Sequence, residues 1–278
     1  MSQQQHYYVP NPSPYPIVAS AGLFLLALGF ALDMNKYALG GWLMVAGLLV
    51  IVGVMFSWFG KVVSESESGL YRKWEDMSFR WGMIWFIASE VMFFGAFFGA
   101  LFYMRVLSVP ELANTELLWP GYEGVWPTSG PTGKVFTPMA AWGIPALNTA
   151  ILLSSGATIT WAHWGLLKNK RAQLIAGLAL TVALGTAFIG FQAYEYYHAY
   201  NDLGLTMGAG AYGATFFMLT GFHGFHVTMG TIMLFVILMR SIKGHFKPEA
   251  HFGFEGVAWY WHFVDVVWLV LFVFVYWL

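Results

Sequence analysis

Four ionisable side chains stand inside long apolar stretches of this sequence. Glu90 occurs in the run ASEVMFFGAFFG and Asp265 in the run WYWHFVDVVWL, whereas His223 and His226 share the run TGFHGFHV. An ionisable group surrounded by hydrocarbon is energetically costly, so such residues are candidates for proton relays, ligand sites or buried hydrogen bonds. These four residues are therefore the first whose chemistry needs an explanation.

The two carboxyl groups are predicted to lie at the same depth in a membrane. Glu90 is about ten residues, and Asp265 about nine, from the start of its own apolar stretch, which corresponds to about 14 to 15 Å along a helix. A carboxyl at that depth is expected to keep its proton at neutral pH unless a cation pairs with it. Each group then has two interpretations, proton or oxygen-pathway function and structural hydrogen bonding, and the structural one is preferred for Asp265.

His223 and His226 are three residues apart and are expected to face roughly the same way on a helix. Such a pair could bind a metal, but a metal site normally takes three or four protein ligands, and the sequence contains no cysteine. Hydrogen bonds to Glu90, to Asp265 or to the backbone of another helix are the preferred interpretation. The sequence therefore predicts no metal site and no catalytic residue.

Three further residues are expected near one membrane surface. Trp58 and Glu65 stand at the end of one apolar stretch, and Arg240 ends another. A basic residue at the interface, flanked by aromatic rings, suits a lipid phosphate, although an arginine that snorkels without a ligand is the alternative.

Two other patterns predict local structure only. Glu195, in the run QAYEYYHAY, is expected to be a carboxylate that snorkels to the outer interface. Gly95 and Gly99 form a GxxxG pattern close to Glu90, which is typical of close contact between helices.

Helices that span a lipid membrane are expected to carry and position all these residues. The chain has 278 residues, of which 58% are hydrophobic and 10% charged, so it carries too little polar surface to cover a soluble globule. The formal net charge of -1 argues against a nucleic-acid partner. The predicted fold class is all-α integral membrane, with seven transmembrane helices at about 17–34, 38–59, 80–104, 139–166, 172–198, 211–239 and 256–278.

The lysine and arginine residues predict an orientation. Ten of the 13 fall in connections on one side of the membrane, leaving three for the other side. The positive-inside rule then places the N-terminus inside and the C-terminus outside. The ten are Lys61, Arg72, Lys73, Arg80, Lys168, Lys170, Arg171, Arg240, Lys243 and Lys247.

Long connections predict the domain organisation. Residues 1–59 would form an N-terminal segment with helices 1 and 2, residues 60–79 an inside linker, and residues 80–278 a bundle of helices 3 to 7. An outside loop at 105–138 is rich in proline and glycine and would either meet a partner or lie idle on the surface.

Several long runs, in a fixed order, resemble cytochrome c oxidase subunit III of the aa3-type haem-copper oxidases. The resemblance covers all seven predicted helices, and the NPSPYP entry to helix 1 favours the cytochrome c branch over the quinol-oxidase branch. The runs are VPNPSPYPI at 9–17, GMIWFIASEVMFFGAFF at 82–98, LNTAILLSSGATITWAHW at 147–164, QAYEYY at 192–197, YGATFFMLTGFHGFHVTMG at 212–230 and HFGFEGVAWYWHFVDVVWL at 251–269.

The resemblance implies an accessory subunit without a redox centre. It would flank subunits I and II of a proton-pumping complex that reduces oxygen to water with electrons from cytochrome c, with haem a, haem a3 and copper held by those partners. A V-shaped cleft between helices 1–2 and helices 3–7 would be filled by phospholipids. The subunit would support proton uptake, oxygen access and resistance to inactivation during turnover.

Some residues match positions with a role in that family. Glu90 matches its buried, carbodiimide-reactive glutamate, and Trp58, Glu65 and Arg240 match positions that line the lipid cleft. The chain departs from the family pattern near 64–72, where Ser64 replaces a usual arginine and Leu70 and Tyr71 stand where a histidine is common.

The sequence also predicts the source and the membrane of the protein, and it leaves one alternative function open. The length of the 105–138 loop favours a bacterial protein, located in the plasma membrane with a cytoplasmic N-terminus and a periplasmic C-terminus. The alternative function is a stand-alone proton-coupled transporter or receptor that uses Glu90, Asp265 and His226. The lack of an internal sequence repeat counts against a transporter built from inverted repeats.

Overall fold

The computed structural model describes residues 8–278, and this part of the chain is almost entirely helical. The first seven residues of the predicted 1–59 segment lie outside the described residues. Seven long helices and one short helix are present, and no strand occurs within residues 8–278. They are α1 Tyr15–Met34, α2 Leu39–Glu67, α3 Lys73–Phe102, the short α4 Val109–Ala113, α5 Ile144–Leu167, α6 Arg171–Asn201, α7 Gly210–Lys243 and α8 Phe252–Leu271. π-Helical turns extend α3 over Tyr103–Ser108 and α8 over Phe272–Trp277.

The predicted all-α class and the seven long helices are confirmed. Six of the seven are long and apolar enough to cross a membrane by length and composition. The exception is α5, which carries several polar residues along its 24-residue length. Some of these face other helices of the bundle: Ser155 accepts a hydrogen bond from the Trp261 indole and Thr149 accepts one from the Trp268 indole, each at 2.9 Å. The polar composition of α5 therefore serves contacts between helices.

Two helix ends differ from the predicted spans. α2 continues to Glu67 and α3 already begins at Lys73, so most of the predicted 60–79 linker is helical. Charged residues end the apolar stretch at this point without ending the helix, because lysine and glutamate are good helix formers. The connection itself shortens to residues 68–72.

The chain divides into two compact units, Met1–Phe79 and Arg80–Leu278. In the first unit, α1 and α2 form a helical hairpin held together at glycines. A Cβ atom at Gly29 would lie 2.6 Å from the backbone nitrogen of Met44, and one at Gly47 would lie 2.7 Å from that of Leu26. Only glycine allows the two backbones to approach so closely.

The second unit contains α5 to α8 packed around large aromatic side chains. Trp261 on α8 is fully buried, and Gly185 on α6 and Gly230 on α7 lie against its ring. A Cβ atom at either glycine would come within 2.8 Å of that indole. The two glycines thus form the recess that accommodates the tryptophan.

α3 meets α7 and α8 through long side chains. Phe94 stands with its ring centroid 5.0 Å from that of His226 on α7 and 6.2 Å from that of Phe263 on α8. About two turns earlier on α3, Phe86 stacks on Tyr260 of α8 at 6.1 Å. This aromatic layer surrounds the polar residues predicted on α3 and α7.

Candidate functional site

Glu90 on α3 and His226 on α7 form a hydrogen-bonded pair between helices. The Nε2 atom of His226 lies 2.9 Å from Oε2 of Glu90. On the other side of the ring, Nδ1 of His226 lies 2.6 Å from the carbonyl oxygen of Phe222, one turn earlier on α7. Both ring nitrogens are therefore engaged.

The Phe222 contact determines where one hydrogen must be. A backbone carbonyl oxygen only accepts hydrogen bonds, so Nδ1 of His226 carries a hydrogen and donates it. Two arrangements then satisfy the contact with Glu90: a protonated Glu90 donates to Nε2 of a neutral imidazole, or an imidazolium donates to the carboxylate. In both, the pair shares one proton and needs no further cation.

Aromatic rings enclose the imidazole of His226. The ring centroids of Phe93, Phe94 and Tyr260 lie 6.0, 5.0 and 6.3 Å from its own. The Tyr260 hydroxyl also donates to the backbone carbonyl of His226 at 3.3 Å. The side chain of His226 is 9% exposed and that of Glu90 is 20% exposed, so the carboxyl is the more accessible partner. In such an apolar setting the hydrogen bond is stronger than it would be in water.

The GxxxG pattern on α3 does not mark a helix contact within residues 8–278. A Cβ atom at Gly95 or Gly99 would meet nothing within 4 Å. These glycines lie on the face of α3 opposite Glu90, as their five- and nine-residue spacings from it require. The expected close contact is therefore not made within residues 8–278, and that face of α3 is open.

The side chains of His223 and His226 form hydrogen bonds with different helices. Its Nε2 lies 3.2 Å from the carbonyl oxygen of Val264 on α8, and its ring packs against Phe188 and Trp268. Its Nδ1 is buried without a hydrogen-bond partner among the described residues. The two histidines therefore do not converge on one point, although they lie three residues apart.

Asp265 stands apart from the pair. Its Oδ2 lies 3.7 Å from Nδ1 of His262 and packs against Gly156 of α5, where a Cβ atom would come within 2.6 Å of it. Within residues 8–278, Asp265 has no hydrogen bond or ion pair with Glu90 or His226. The structure thus brings together Glu90 and His226, and leaves Asp265 with α5.

Glu195 is buried, which corrects the expectation that it snorkels to the interface. Its side chain is 0% exposed, and its Oε1 accepts a hydrogen bond of 2.6 Å from the Tyr276 hydroxyl. Tyr276 belongs to the π-helical turn that ends α8. A partner from the far end of the chain therefore covers a carboxyl that sequence position alone would leave at the surface.

Trp58 and Glu65 lie seven residues apart on α2, hence on one face of that helix. The Trp58 ring stacks on Tyr15 at 5.7 Å, and Glu65 accepts hydrogen bonds from the hydroxyls of Tyr8 at 3.2 Å and Tyr71 at 2.7 Å. Burial, and then the hydrogen bond to the Glu65 carboxylate, raises the pKa of Tyr71. Tyr71, at a position where the family pattern often has histidine, thus donates a hydrogen bond directly to the Glu65 carboxylate.

Arg240 belongs to the second unit, near the end of α7. Its guanidinium carbon lies 4.5 Å from the centroid of the Phe246 ring, a cation–π contact. The arginine is therefore held in place by an aromatic ring of the following loop.

One polar cluster was missed by sequence reasoning. His163 on α5 and His251 and Glu255 at the start of α8 offer three ligand atoms within 4.8 Å of one another. Nε2 of His163 and Nε2 of His251 lie 3.8 and 3.6 Å from Oε1 of Glu255. The Arg80 guanidinium pairs with the other oxygen of the same carboxylate and would compete with a metal cation. The long separation of these residues in sequence gave no local signal.

Comparison with known proteins gives one consistent result. The model of the family described as cytochrome c oxidase subunit III matches residues 5–278. A protein named cytochrome c oxidase subunit 3 from Marchantia polymorpha is 43% identical over 278 residues, covering 100% of this chain and 98% of its own length. Proteins of the same name from Arabidopsis thaliana and Cyprinus carpio are 44% and 42% identical, over 99% and 100% of this chain and 97% and 99% of their own lengths.

Proposed function

The chain belongs to the cytochrome c oxidase subunit III family, and from that premise we propose that it is an accessory subunit flanking subunits I and II of the oxidase. The complex is an oxidoreductase that takes electrons from cytochrome c and reduces oxygen to water. Haem a, haem a3 and copper belong to the partner subunits in this proposal. The divergence of His223 and His226 supports it, because each imidazole is engaged by a different helix and the two form no common ligand set.

The hydrogen bond between Glu90 and His226 is the observation that carries the proposal. It joins α3 to α7 inside an aromatic layer and holds one shared proton. A pair of this kind suits a supporting role, in which it keeps α3 in position beside the pathways for protons and oxygen in the neighbouring subunit. The open face of α3 at Gly95 and Gly99 is suited to a lipid chain or a helix of that neighbour.

Structural phospholipids are the proposed ligands of the chain. Trp58 of α2 and Tyr15, the first residue of α1, form a stacked aromatic platform where the apolar stretch of α2 ends, a position that favours the membrane interface. Glu65 lies on the same face, and Arg240 in the second unit supplies a cation suited to a lipid phosphate. We propose that the first unit, through Trp58 and Glu65, and the second unit, through Arg240, each contact structural phospholipids.

The proposed location is the plasma membrane of an aerobic bacterium, with the N-terminus in the cytoplasm and the C-terminus in the periplasm. The distribution of lysine and arginine supports this orientation. The length of the 105–138 loop does not support a bacterial source, because the relatives from Marchantia polymorpha and Cyprinus carpio align over nearly the whole of both chains. Those relatives are eukaryotic, so a eukaryotic respiratory membrane is the alternative.

The alternative function, a stand-alone transporter or receptor, loses part of its support. It uses Glu90, Asp265 and His226 as one relay, but Asp265 contacts neither of the other two within the described residues. Expression of a tagged chain in its native host distinguishes the two functions. We expect it to co-purify with haem-bearing subunits. A chain that purified alone and colourless, and transported protons in liposomes, would refute the accessory assignment.

A further inference from the structure

A cavity of about 220 Å³ lies where α5 ends, α6 begins and α7 ends. Because long membrane helices end here, the cavity is at the level of the membrane surface. Three cationic residues, Lys170, Arg171 and Lys247, contribute to its wall. Among the lining residues that the structure describes, none is acidic. The charge of the cavity is therefore strongly positive.

The negative ends of the neighbouring helices do not cancel this charge. A helix C-terminus normally presents carbonyl oxygens without partners. Here the Lys170 N–H donates to the carbonyl oxygen of Gly165 at 2.7 Å, and the Arg171 guanidinium donates to that of Ile242. These two acceptors are satisfied within the protein, the second by the Arg171 side chain itself. No hydrogen bond or ion pair within residues 8–278 engages the ammonium groups of Lys170 and Lys247.

The start of α6 adds backbone donors to the same place. α6 is 31 residues long and begins at Arg171, and no side chain caps its first turn. The first backbone N–H groups of a helix have no partner within it and carry partial positive charge. Such a terminus favours an anion, and phosphate groups bind at helix N-termini for this reason.

A buried hydroxyl supplies independent evidence for a ligand. Ser241 on α7 lines the cavity and is only 2% exposed. Its Oγ atom has no hydrogen-bond partner among the described residues. Leaving a buried hydroxyl unpaired is costly, and polar groups in such positions normally have a partner. An oxygen atom of a ligand in the cavity would provide one.

We propose that this cavity binds a phosphate group, with Lys170, Arg171 and Lys247 as counter-charges and Ser241 and the first turn of α6 as donors. The phosphate belongs either to the headgroup of an anionic phospholipid or to a soluble phosphate compound. The volume is below the roughly 300 Å³ at which pockets for drug-sized ligands begin, and it suits a headgroup. Arg240 is not among the residues that line the cavity, although its guanidinium lies against the ring of Phe246, which is one of them.

The test uses the intact oxidase complex in detergent. The double variant Lys170→Gln/Lys247→Gln removes two charges from the cavity wall, and Lys168→Gln/Lys243→Gln removes two from nearby positions outside it. Phosphatidylglycerol and phosphatidylcholine are titrated and bound lipid is counted by native mass spectrometry, while inorganic phosphate is followed by equilibrium dialysis.

Each lysine near the membrane surface contributes about a factor of five to the affinity for an anionic lipid, so we expect phosphatidylglycerol to bind about 30-fold more weakly to the cavity variant. We expect the outside variant to bind it as the unmodified complex does.

The two probes distinguish the sources of the phosphate. A loss of phosphatidylglycerol binding alone identifies a lipid headgroup, and a parallel loss of inorganic phosphate binding identifies soluble phosphate as a sufficient ligand. Ser241→Ala, which removes only an unpaired hydroxyl, covers the case in which the double variant fails to assemble, and it should weaken binding of the same probe. If neither the cavity variant nor Ser241→Ala binds either probe more weakly than the outside variant does, the proposal is overturned.

Discussion

Nδ1 of His226 lies 2.6 Å from the Phe222 carbonyl oxygen, so the opposite nitrogen of the ring is presented to Oε2 of Glu90 at 2.9 Å. A backbone acceptor on α7 thereby selects the hydrogen position of the imidazole that meets the carboxyl of α3. Because a neutral donor on α3 can satisfy Nε2 of this tautomer, the pair need not be charged to hold the helices together.

Glu90→Gln should leave electron transfer nearly unchanged. The amide of glutamine can donate to Nε2 of His226 and so replace the hydrogen bond of a protonated carboxyl. Oxygen uptake by the assembled complex with reduced cytochrome c measures this. A complete loss of turnover with normal haem spectra would mean that Glu90 is catalytic.

Removing both partners of the pair should cost less than the sum of the single changes. Glu90→Leu and His226→Leu each leave a polar group without its partner, whereas the double variant leaves none. We expect a coupling energy of about 0.5 to 2 kcal/mol, since hydrogen bonds between membrane helices are individually modest. Thermal unfolding of the unmodified complex, the two single variants and the double variant gives this coupling energy as a double-mutant cycle. Strictly additive effects would show that the contact contributes no interaction energy.

Gly230→Ala should destabilise the second unit. The added Cβ would come within 2.8 Å of the Trp261 ring, which is fully buried and cannot move freely. Overpacking of this kind costs about 1 to 3 kcal/mol. Gly190→Ala on α6 is the matched control, because a Cβ there meets nothing within 4 Å. Equal thermal stability of the two variants would contradict the close packing of α7 on Trp261.

Tyr276→Phe should also destabilise the protein, through Glu195. The substitution removes the hydroxyl that donates to Oε1 of this buried carboxyl, and an unsatisfied buried polar group costs about 1 to 3 kcal/mol. Tyr194→Phe, at an exposed position one residue before Glu195, provides the control. Thermal unfolding compares the stability of the two variants. A Tyr276→Phe protein as stable as the Tyr194→Phe control would argue against this hydrogen bond.

Arg240→Ala should lower the amount of phospholipid that co-purifies with the complex. The guanidinium offers charge and several donors to a lipid phosphate at the membrane surface. Mass spectrometry of extracted lipids, normalised to haem, gives the measurement. Lys243→Ala, which removes the same charge one helical turn later, controls for charge alone. The same lipid content in the Arg240→Ala complex as in the unmodified one would exclude a headgroup role for Arg240.

The helices could be predicted from the sequence because the thickness of the membrane sets the length of each apolar stretch. The pairing of Glu90 with His226 was among the predicted hydrogen bonds, since few polar partners exist within a membrane. The environment of Glu195 could not be predicted, because its position near the end of an apolar stretch indicates the membrane interface and nothing in the sequence indicates that Tyr276 covers it. Likewise, the GxxxG pattern describes one face of α3 and contains no information on what covers that face.

The cluster of His163, His251 and Glu255 near the start of α8 also could not be predicted from the sequence. His163 and His251 approach one another only because α5 and α8 pack together. Periodicity predicts which residues share a helix face, but contacts between helices distant in sequence depend on the whole bundle. The phosphate cavity, formed by the ends of three helices, was missed for this reason.

The proposed accessory role assigns the reduction of oxygen to the neighbouring subunits. The most direct measurement is the initial rate and the lifetime of oxygen reduction by a complex purified without this chain. The proposed accessory role predicts normal haem spectra and an initial rate close to that of the complete complex, with activity lost sooner during sustained turnover. A complex that retained its haem and copper but had no initial activity would contradict it.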